Sequence, residues 1–330
     1  MEHETPRRGP DELREERRHS SGRESWVYRA DGPDVLRGRH ADLLRSALGP
    51  DDRLHYLLYA PIFDGVGGPF GIRGTPASHA VAVAHDRLII TADAHRDEEP
   101  ANIYTIPFAQ ILSVELGAAL LLGWFRIRHV DGVHVTSTLV TFSTTGTIHF
   151  EAVVRTYRAL TAVQISGAGV AMPSAEVWRA TAPFLRSATE PLLLRDEPVL
   201  LAVHWAESWR PRKGGWRTLP SCVSTPGLLL ISRAGLLWAC SEPRLRPDML
   251  TFGVNVTSIN WRALQSASVE HGDVNGGAVC LRLILERDGV VGDLEIPVGP
   301  DADWAVDDAL RALERMRRSA HDSRSAQGSR

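Results

Sequence analysis

The stretch DLLRSALGPD at 42–51 contains the tetrapeptide LRSA, which returns at 185–188 within PFLRSATEPL. A duplicated unit repeats its segments in the same order along the chain, so further matches decide whether this recurrence has meaning. Three more pairs keep that order: LIIT at 88–91 with LLIS at 229–232, SVE at 113–115 with SVE at 268–270, and YRAL at 157–160 with LRAL at 310–313. We therefore expect two diverged copies, at about 34–163 and 174–317, in which Leu44 and Leu185 are equivalent buried residues and Arg45 and Arg186 face outward.

Each copy is expected to follow one order of elements. A helix comes first, in PDVLRGRHADLLRSAL at 33–48 and in PSAEVWRATAPFLRSA at 173–188, where Pro183 would kink the second helix. About seven short strands follow, rich in β-branched and aromatic residues and bounded by Gly, Pro, Asp and Ser. The predicted strands are LHYLLYAP, HAVAVA, RLIITAD, NIYTIPF, ILSVEL, WFRIRHV and TLVTFST, then PVLLAVHW, SCVSTP, LLLISRA, TFGVNV, LQSASVE, AVCLRLILE and VGDLEIPV.

An amphipathic helix closes each copy. Its apolar stripe in the first copy consists of Phe150, Val153, Val154, Tyr157 and Leu160. The corresponding stripe in the second copy consists of Trp304, Val306, Ala309, Leu310, Leu313 and Met316. In strand WFRIRHV, alternation places Phe125 and Ile127 on the core side and Arg126 and Arg128 on the other. The fold class is therefore mainly β with helices (α+β).

This order of elements resembles the bacterial pleckstrin-homology-like (PH-like, GRAM-like) superfamily. The residues that carry the resemblance are DRLIITAD at 86–93, IPFAQILSVEL at 106–116, GWFRIRHVDG at 123–132 and STLVTFSTTGTIHFEAVVRTYRAL at 137–160. The second copy matches through LLLISRAG at 228–235, INWRALQSASVE at 259–270 and its closing helix. The resemblance implies two tandem PH-like antiparallel barrels, each closed by a C-terminal amphipathic helix and packed together through helices and long loops.

The expected organisation has five segments. Residues 1–24 and 318–330 mix basic and acidic side chains with almost nothing to bury, which is typical of disordered tails. Between them, 25–165 is the first PH-like domain with its leading helix, 166–190 a linker with the second leading helix, and 191–317 the second PH-like domain.

Composition indicates a cytoplasmic, bacterial protein. The net charge of −3 gives no pull toward nucleic acid. Lys213 is the only lysine, a bias typical of a GC-rich bacterial coding sequence. The three cysteines are scattered and odd in number, which fits a reducing compartment. No signal peptide is expected at the N-terminus, and the most apolar window, 111–125, is too short for a membrane span and carries Glu115.

The motifs that usually carry catalysis or cofactor binding do not occur in the sequence. It has no G-x-S-x-G nucleophile elbow, no phosphate-binding loop, no C-x-x-C and no H-E-x-x-H, and the glycines of GVGGPFG at 65–71 have the wrong spacing for a dinucleotide fingerprint. The acidic run DAHRDEEP at 93–100 is more typical of a solvated loop than of a metal site. We expect no catalytic residue, no metal and no cofactor.

The candidate site residues lie in one loop of each copy, between its first and second strands. In the second copy they are Trp209, Arg210, Arg212, Lys213, Trp216 and Arg217. The same loop of phosphoinositide-binding PH domains holds basic residues that contact headgroup phosphates, and tryptophan suits a membrane interface. In the first copy, the glycine-rich loop presents Phe63, Phe70, Ile72 and Arg73.

The sequence leaves three functions open. PH-like domains are binding platforms, so the resemblance favours a non-catalytic scaffold for a protein or peptide partner, with an open sheet edge or groove that accepts an added strand. The first alternative is an anionic lipid or membrane surface bound through 209–217. The second is an enzyme with a site between the two copies, which requires a deep pocket with convergent titratable groups. Both loops also have a purely structural interpretation, as self-packing or interdomain flaps.

Overall fold

The computed structural model describes residues 26–63, 77–94, 101–162, 181–210, 221–242, 253–271 and 279–327. The protein is mainly β with a few helices. Its strands are β1 (Tyr28–Arg29), β2 (Tyr56–Ala60), β3 (Ser78–Val83), β4 (Arg87–Asp93), β5 (Asn102–Pro107), β6 (Ile111–Ala119), β7 (Leu122–Asp131), β8 (His134–Ser143), β9 (Val199–Trp205), β10 (Ser208–Arg210), β11 (Ser221–Ser224), β12 (Gly227–Ser232), β13 (Gly235–Ser241), β14 (Gly253–Ile259), β15 (Leu264–His271), β16 (Val279–Arg287) and β17 (Val290–Val298). Its α-helices are α1 (His40–Ala47), α2 (Thr147–Thr161), α3 (Pro183–Thr189) and α4 (Asp303–Gln327).

The strands form four sheets, and each observed pairing is antiparallel. A five-stranded sheet has the order β1-β2-β3-β4-β5, a seven-stranded sheet the order β8-β7-β6-β14-β13-β12-β9, a three-stranded sheet the order β15-β16-β17, and β10 pairs with β11 alone. We call 26–162 the first half and 181–327 the second half. The series β2 to β8 plus α2 has the same order as β9 and β12 to β17 plus α4.

The predicted strands of the first half are all present. The short strands β1 and β10 were not predicted, and the seven-stranded sheet contains one further strand that the sequence analysis missed. This strand is β13, which pairs with β12 on one side and β14 on the other. The segment SCVSTP was predicted as a strand of the main sheet, but β11 within it pairs only with β10, beside the seven-stranded sheet. Within the repeated series of seven strands, LLLIS therefore belongs to the second strand, β12, while LIIT belongs to the third, β4.

The repeat consequently lies in the order of elements rather than in the matched letters. LIIT and LLIS are not equivalent, because Leu88 pairs with Ile106 as Leu236 pairs with Ile259. The SVE pair is displaced by two residues: the register shift that precedes Ser113 in β6 precedes Ser266 in β15. The two RAL segments are likewise displaced, by three residues when positions are counted from the starts of α2 and α4.

Helices α1 and α3, which carry LRSA, occupy matching places. Helix α1 contacts β4 and β5, and α3 contacts β13 and β14. Leu44 lies in a cluster that contains Leu57 and Ile89, and Leu185 lies in the core cluster that contains Leu230 and Leu237. Both leucines are 1% exposed, while Arg45 and Arg186 keep 50% and 37% of their side chains exposed, so the prediction from the repeat is confirmed. Pro183 begins α3 rather than kinking it, since a proline is tolerated in the first turn of a helix.

The closing helices cover the cores as predicted, with one error. The stripes through Phe150, Val153, Val154 and Tyr157 and through Val306, Ala309, Leu313 and Met316 are buried. Trp304 is 78% exposed and donates its indole N–H to the main-chain oxygen of Asp301 at 3.0 Å. It lies one residue before Ala305, which takes the buried position instead. Helix α4 also continues through 318–327, which the sequence analysis assigns to a terminal tail.

The predicted closure into two barrels is wrong, because the sheets are open. Strand β6 uses one side for β7 of its own half and the other for β14 of the second half, in the register Val114↔Ser258 to Ala119↔Gly253. The halves therefore share a continuous sheet instead of meeting only through helices and loops. One core cluster spans them: Leu116 and Phe125 belong to the same cluster as Leu230, Ala239 and Val256.

A buried ion pair adds a second connection between the halves. Arg158 at the end of α2 donates to both carboxylate oxygens of Glu197, at 3.0 and 2.6 Å, and to the main-chain oxygen of Leu192. Glu197 also accepts from the hydroxyl of Ser232 and from the Leu194 amide at 2.7 Å. The two charged side chains are 1% and 2% exposed, so this network fixes the start of the second half against α2.

Candidate interaction site at the open sheet edges

The predicted loop of the second half is only partly described. Trp209 and Arg210 lie in β10, where Trp209 is opposite Cys222. The Trp209 side chain is half-buried, and its indole nitrogen lacks a hydrogen-bond partner within the described structure. Arg212, Lys213, Trp216 and Arg217 lie outside the described residues, as does the side chain of Arg210. Binding of an anionic surface through this loop therefore stays a prediction.

In the first half, the described part of the loop contacts the protein itself. Phe63 is half-buried and packs on a small cluster formed by Ala119, Leu122 and Trp124. Phe70, Ile72 and Arg73 lie outside the described residues. Phe63 therefore helps to cover the β6–β7 hairpin, which agrees with the structural interpretation of this loop at Phe63.

Strand β5 has an open side that its counterpart in the second half lacks. It pairs with β4, and no other described strand pairs with it. Its equivalent is β14, since both precede a short 3-10 turn, at Phe108–Gln110 and Trp261–Ala263. In β14, Val256 and Thr257 are each 3% exposed because β6 covers them; the matching residues of β5, Ile103 and Tyr104, are 36% and 41% exposed.

The side chains of β5 do not protect this edge. Proteins usually block a free strand edge with charges, proline or a bulge. Asn102, Ile103, Tyr104 and Thr105 are all exposed, and none carries a charge; the proline comes only at position 107, at the end of the strand. Main-chain groups that pair with no described strand, flanked by a β-branched and an aromatic side chain, are suited to accept an added strand.

Strand β15 has the second open side. It pairs with β16 and with no other described strand, whereas its equivalent β6 lies between β7 and β14. The missing neighbour shows in burial: Val114 and Leu116 of β6 are buried, while Ala267 and Val269 of β15 are half-exposed. We call these two unpaired sides the β5 edge and the β15 edge.

A cleft of about 290 Å³ lies beside the start of β15, where the turn at Phe108–Gln110 meets the second half. Its lining residues are Ala109, Trp261, Arg262, Ala263, Leu264, Gln265, Glu286, Arg287, Asp288, Arg317 and Ala320. Arg287 donates to the main-chain oxygens of Ile111 and Arg262, at 3.3 and 2.8 Å, and Glu286 accepts from Gln265. These lining residues include no Ser, Thr, Cys or His, the side chains that most often act as nucleophile or base.

Among the described residues, a buried polar network under α1 comes closest to a catalytic arrangement. His40 contacts the hydroxyl of Thr91 through Nδ1 at 2.7 Å and that of Ser78 through Nε2 at 2.8 Å. Beside it, Arg39 donates to the buried Asp93 at 2.6 Å. The side chains of His40, Ser78 and Thr91 have no exposed surface, so a substrate has no access to the serine. The network fixes α1 on β3 and β4.

The described residues contain no group of three His, Cys, Asp or Glu arranged to hold a metal ion. Asp93, the first residue of the acidic run, is engaged by Arg39, and His95 to Pro100 lie outside the described residues. In the part of the chain that the structure describes, each helix is too short or too polar to cross a membrane.

No protein-family model matches this chain, and no curated protein matches it either. The two edges therefore have to be interpreted from their own geometry. The sequence predicts β5 and β15 as strands but does not mark them as a site. The only signal in the sequence is that NIYTIP at 102–107 carries no charge. A strand with a free edge and a strand paired on both sides show the same alternation of side chains, so this signal does not identify an open edge.

Proposed function

We propose that this chain is a non-catalytic binding platform built from two PH-like units, and that it binds an extended protein segment at the β5 edge. One observation carries the proposal: β5 is exposed along Asn102–Thr105, while the equivalent residues of β14 are buried by an added strand. The pairing of β14 with β6 is thus an example, within the molecule, of the strand addition that we propose for β5. The repeated order of strands and the helices that cover each core support the PH-like interpretation.

Strand addition has a clear physical basis here. Main-chain N–H and C=O groups of the partner pair with those of β5, which supplies affinity, and side chains at alternate positions supply selectivity. Ile103 and Thr105 point to one face of the sheet, and Tyr104 points to the other. We expect selected segments to carry β-branched or aromatic residues opposite Ile103 and Tyr104, because such cross-strand pairs are the most favourable.

The proposal includes a reducing compartment, the cytoplasm. Cys222, Cys240 and Cys280 are free thiols in the structure. Burial raises the pKa of the Cys240 thiol to about 12, so this side chain behaves as a small apolar residue and not as a reactive thiolate. A protein with scattered, unpaired cysteines is typical of a compartment in which thiols stay reduced.

The test is a selection of random peptides against the full chain, followed by hydrogen exchange of the complex. Selected peptides should slow exchange at the β5 amides, and Ile103→Lys should weaken their binding at least tenfold, because it places a charge beside the apolar contact. Ile148→Lys provides the matched control, since Ile148 is an exposed isoleucine on α2, away from both edges. Peptides that bind without protecting β5, or that bind the Ile103→Lys chain equally well, would contradict the proposal.

A further inference from the structure

The two halves are joined by the pairing of β6 with β14, which are different strands of the repeated unit. Strand β14 is the last strand of its half's first sheet, and β6 is the first strand of the other half's second sheet. They pair with Val256 opposite Leu116, Thr257 opposite Glu115 and Ser258 opposite Val114. The contact is heterologous, since two different surfaces of the repeated unit meet.

At the other ends of the molecule, no described strand pairs with the same two surfaces. Strand β5 is the equivalent of β14, and β15 is the equivalent of β6. Both equivalences follow from registers: Ile106 and Ile259 have matching partners in β4 and β13, and β6 and β15 have the same register shift after their first residue. Each molecule therefore carries one further copy of each strand that forms its internal joint, and no described strand pairs with the corresponding side of either copy.

We propose that the β5 edge of one molecule pairs with the β15 edge of a second copy of the chain, repeating the β6–β14 joint between molecules. This inference rests on the proposed function, because it names the partner of the β5 edge. The register follows from the internal joint: Ile103 comes opposite Val269, Tyr104 opposite Ser268, and Thr105 opposite Ala267.

The side chains brought together in this register are compatible. Ile103 and Val269 are both partly exposed apolar residues, and they replace the apolar pair Val256–Leu116 of the internal joint. Asn102 comes opposite Glu270, whose carboxylate accepts from Arg282 at 2.9 Å, so an amide meets a neutralised acid. No like charges oppose one another in this register, and pairs of β-branched residues stabilise a sheet.

The geometry also dictates the kind of assembly. Because the two edges differ, a β5–β15 contact leaves one β5 edge and one β15 edge free at the ends of the pair. A heterologous contact continues into a chain, or into a ring when the rotation between successive molecules closes. Growth beyond a dimer is therefore expected, with a mean size that rises with protein concentration.

The test combines two variants that each block one edge. Ile103→Pro removes an amide donor from the β5 edge, and Val269→Pro does the same at the β15 edge. Sedimentation velocity should show the unaltered chain growing with concentration and each variant alone as a monomer. An equimolar mixture of the two variants should form a 1:1 dimer and nothing larger, since it contains one intact edge of each kind.

Circular dichroism and thermal unfolding establish whether both variants fold. If a proline variant does not fold, Ile103→Lys and Val269→Lys replace the prolines, and their mixture should again stop at the dimer. Ile103→Lys mixed with Val269→Glu should instead grow beyond the dimer, because the opposite charges allow the two altered edges to pair as well. A monomeric unaltered chain at all concentrations, or variants that still assemble alone, would overturn the inference. Selected peptides that protect β5 in a chain that stays monomeric would leave the proposed function in place and remove only the second copy as its partner.

Discussion

At the scale of single residues, His79 links the stability of the first half to pH. Its imidazole is 6% exposed and its Nδ1 lacks a hydrogen-bond partner in the described structure. Burial, with a smaller contribution from the charge of His40, lowers the pKa of His79 to about 4. The folded protein therefore keeps this side chain neutral at a pH at which the unfolded chain already binds a proton.

We expect the free energy of unfolding to fall as the pH drops from 6.5 towards 4. Over that interval the unfolded state gains a proton on His79 and the folded state does not, which corresponds to about 3 kcal/mol. Below about pH 4 this contribution levels off, since both states are then protonated. Urea unfolding at a series of pH values measures it, with His79→Gln as the comparison, because glutamine does not titrate. Parallel pH profiles for the two proteins would contradict the prediction.

At the scale of elements, the two halves share a contact between a glycine and a tryptophan on neighbouring strands. Gly117 in β6 lies opposite Trp124 in β7, and Gly227 in β12 lies opposite Trp205 in β9. A Cβ atom at Gly117 would come within 2.0 Å of the Trp124 ring, and one at Gly227 within 2.1 Å of the Trp205 ring. The glycines are therefore needed for the indoles to lie flat across the neighbouring strand.

Gly117→Ala should destabilise the protein by about 2 kcal/mol, the usual range for overpacking a core. The added methyl group has to displace Trp124, which is fully buried and donates its indole N–H to Glu115 at 2.7 Å. Guanidinium unfolding followed by tryptophan fluorescence measures the change. Gly32→Ala is the matched control, with little expected change, since its backbone is extended and nothing lies within 4 Å of its added Cβ.

Element types were more predictable than element partners. Strands such as β3 and β4 are recognisable because β-branched residues lie between clear turn residues. Strand β13 was missed because it follows β12 through a turn that contains neither proline nor asparagine, with Gly235 at a φ of 143°. In GLLLISRAGLLWACS at 227–241 only Arg233 and Ala234 lie between the two strands, so the apolar residues of β12 and β13 form a nearly continuous run that does not show where one strand ends.

At the scale of the whole molecule, the decisive contacts join residues far apart in sequence. The β6–β14 pairing connects positions more than a hundred residues apart, such as Leu116 and Val256. Hydrophobic pattern reports which face of a strand is buried, but it does not report which strand lies alongside. For the same reason the sequence predicts that β5 is a strand but not that its edge is open. Openness is a property of the arrangement of the two halves.

The shared sheet predicts that both halves unfold together. Val256 lies in the core cluster that contains residues of both halves, such as Phe125 and Leu230, so its loss weakens contacts on both sides of the joint. Slowly exchanging amides in β3 and in β12 should therefore report the same free energy of opening. Val256→Asp should lower the opening free energy of both strands by about 3 kcal/mol or more, because it buries an unpaired carboxylate.

Native-state hydrogen exchange measures the opening free energies of both halves in one experiment. Val291→Asp, at an exposed valine of β17, should change neither by more than about 0.5 kcal/mol. Two halves with separate opening free energies, only one of which responds to Val256→Asp, would mean that the β6–β14 ladder holds two independent domains side by side without making them one cooperative unit.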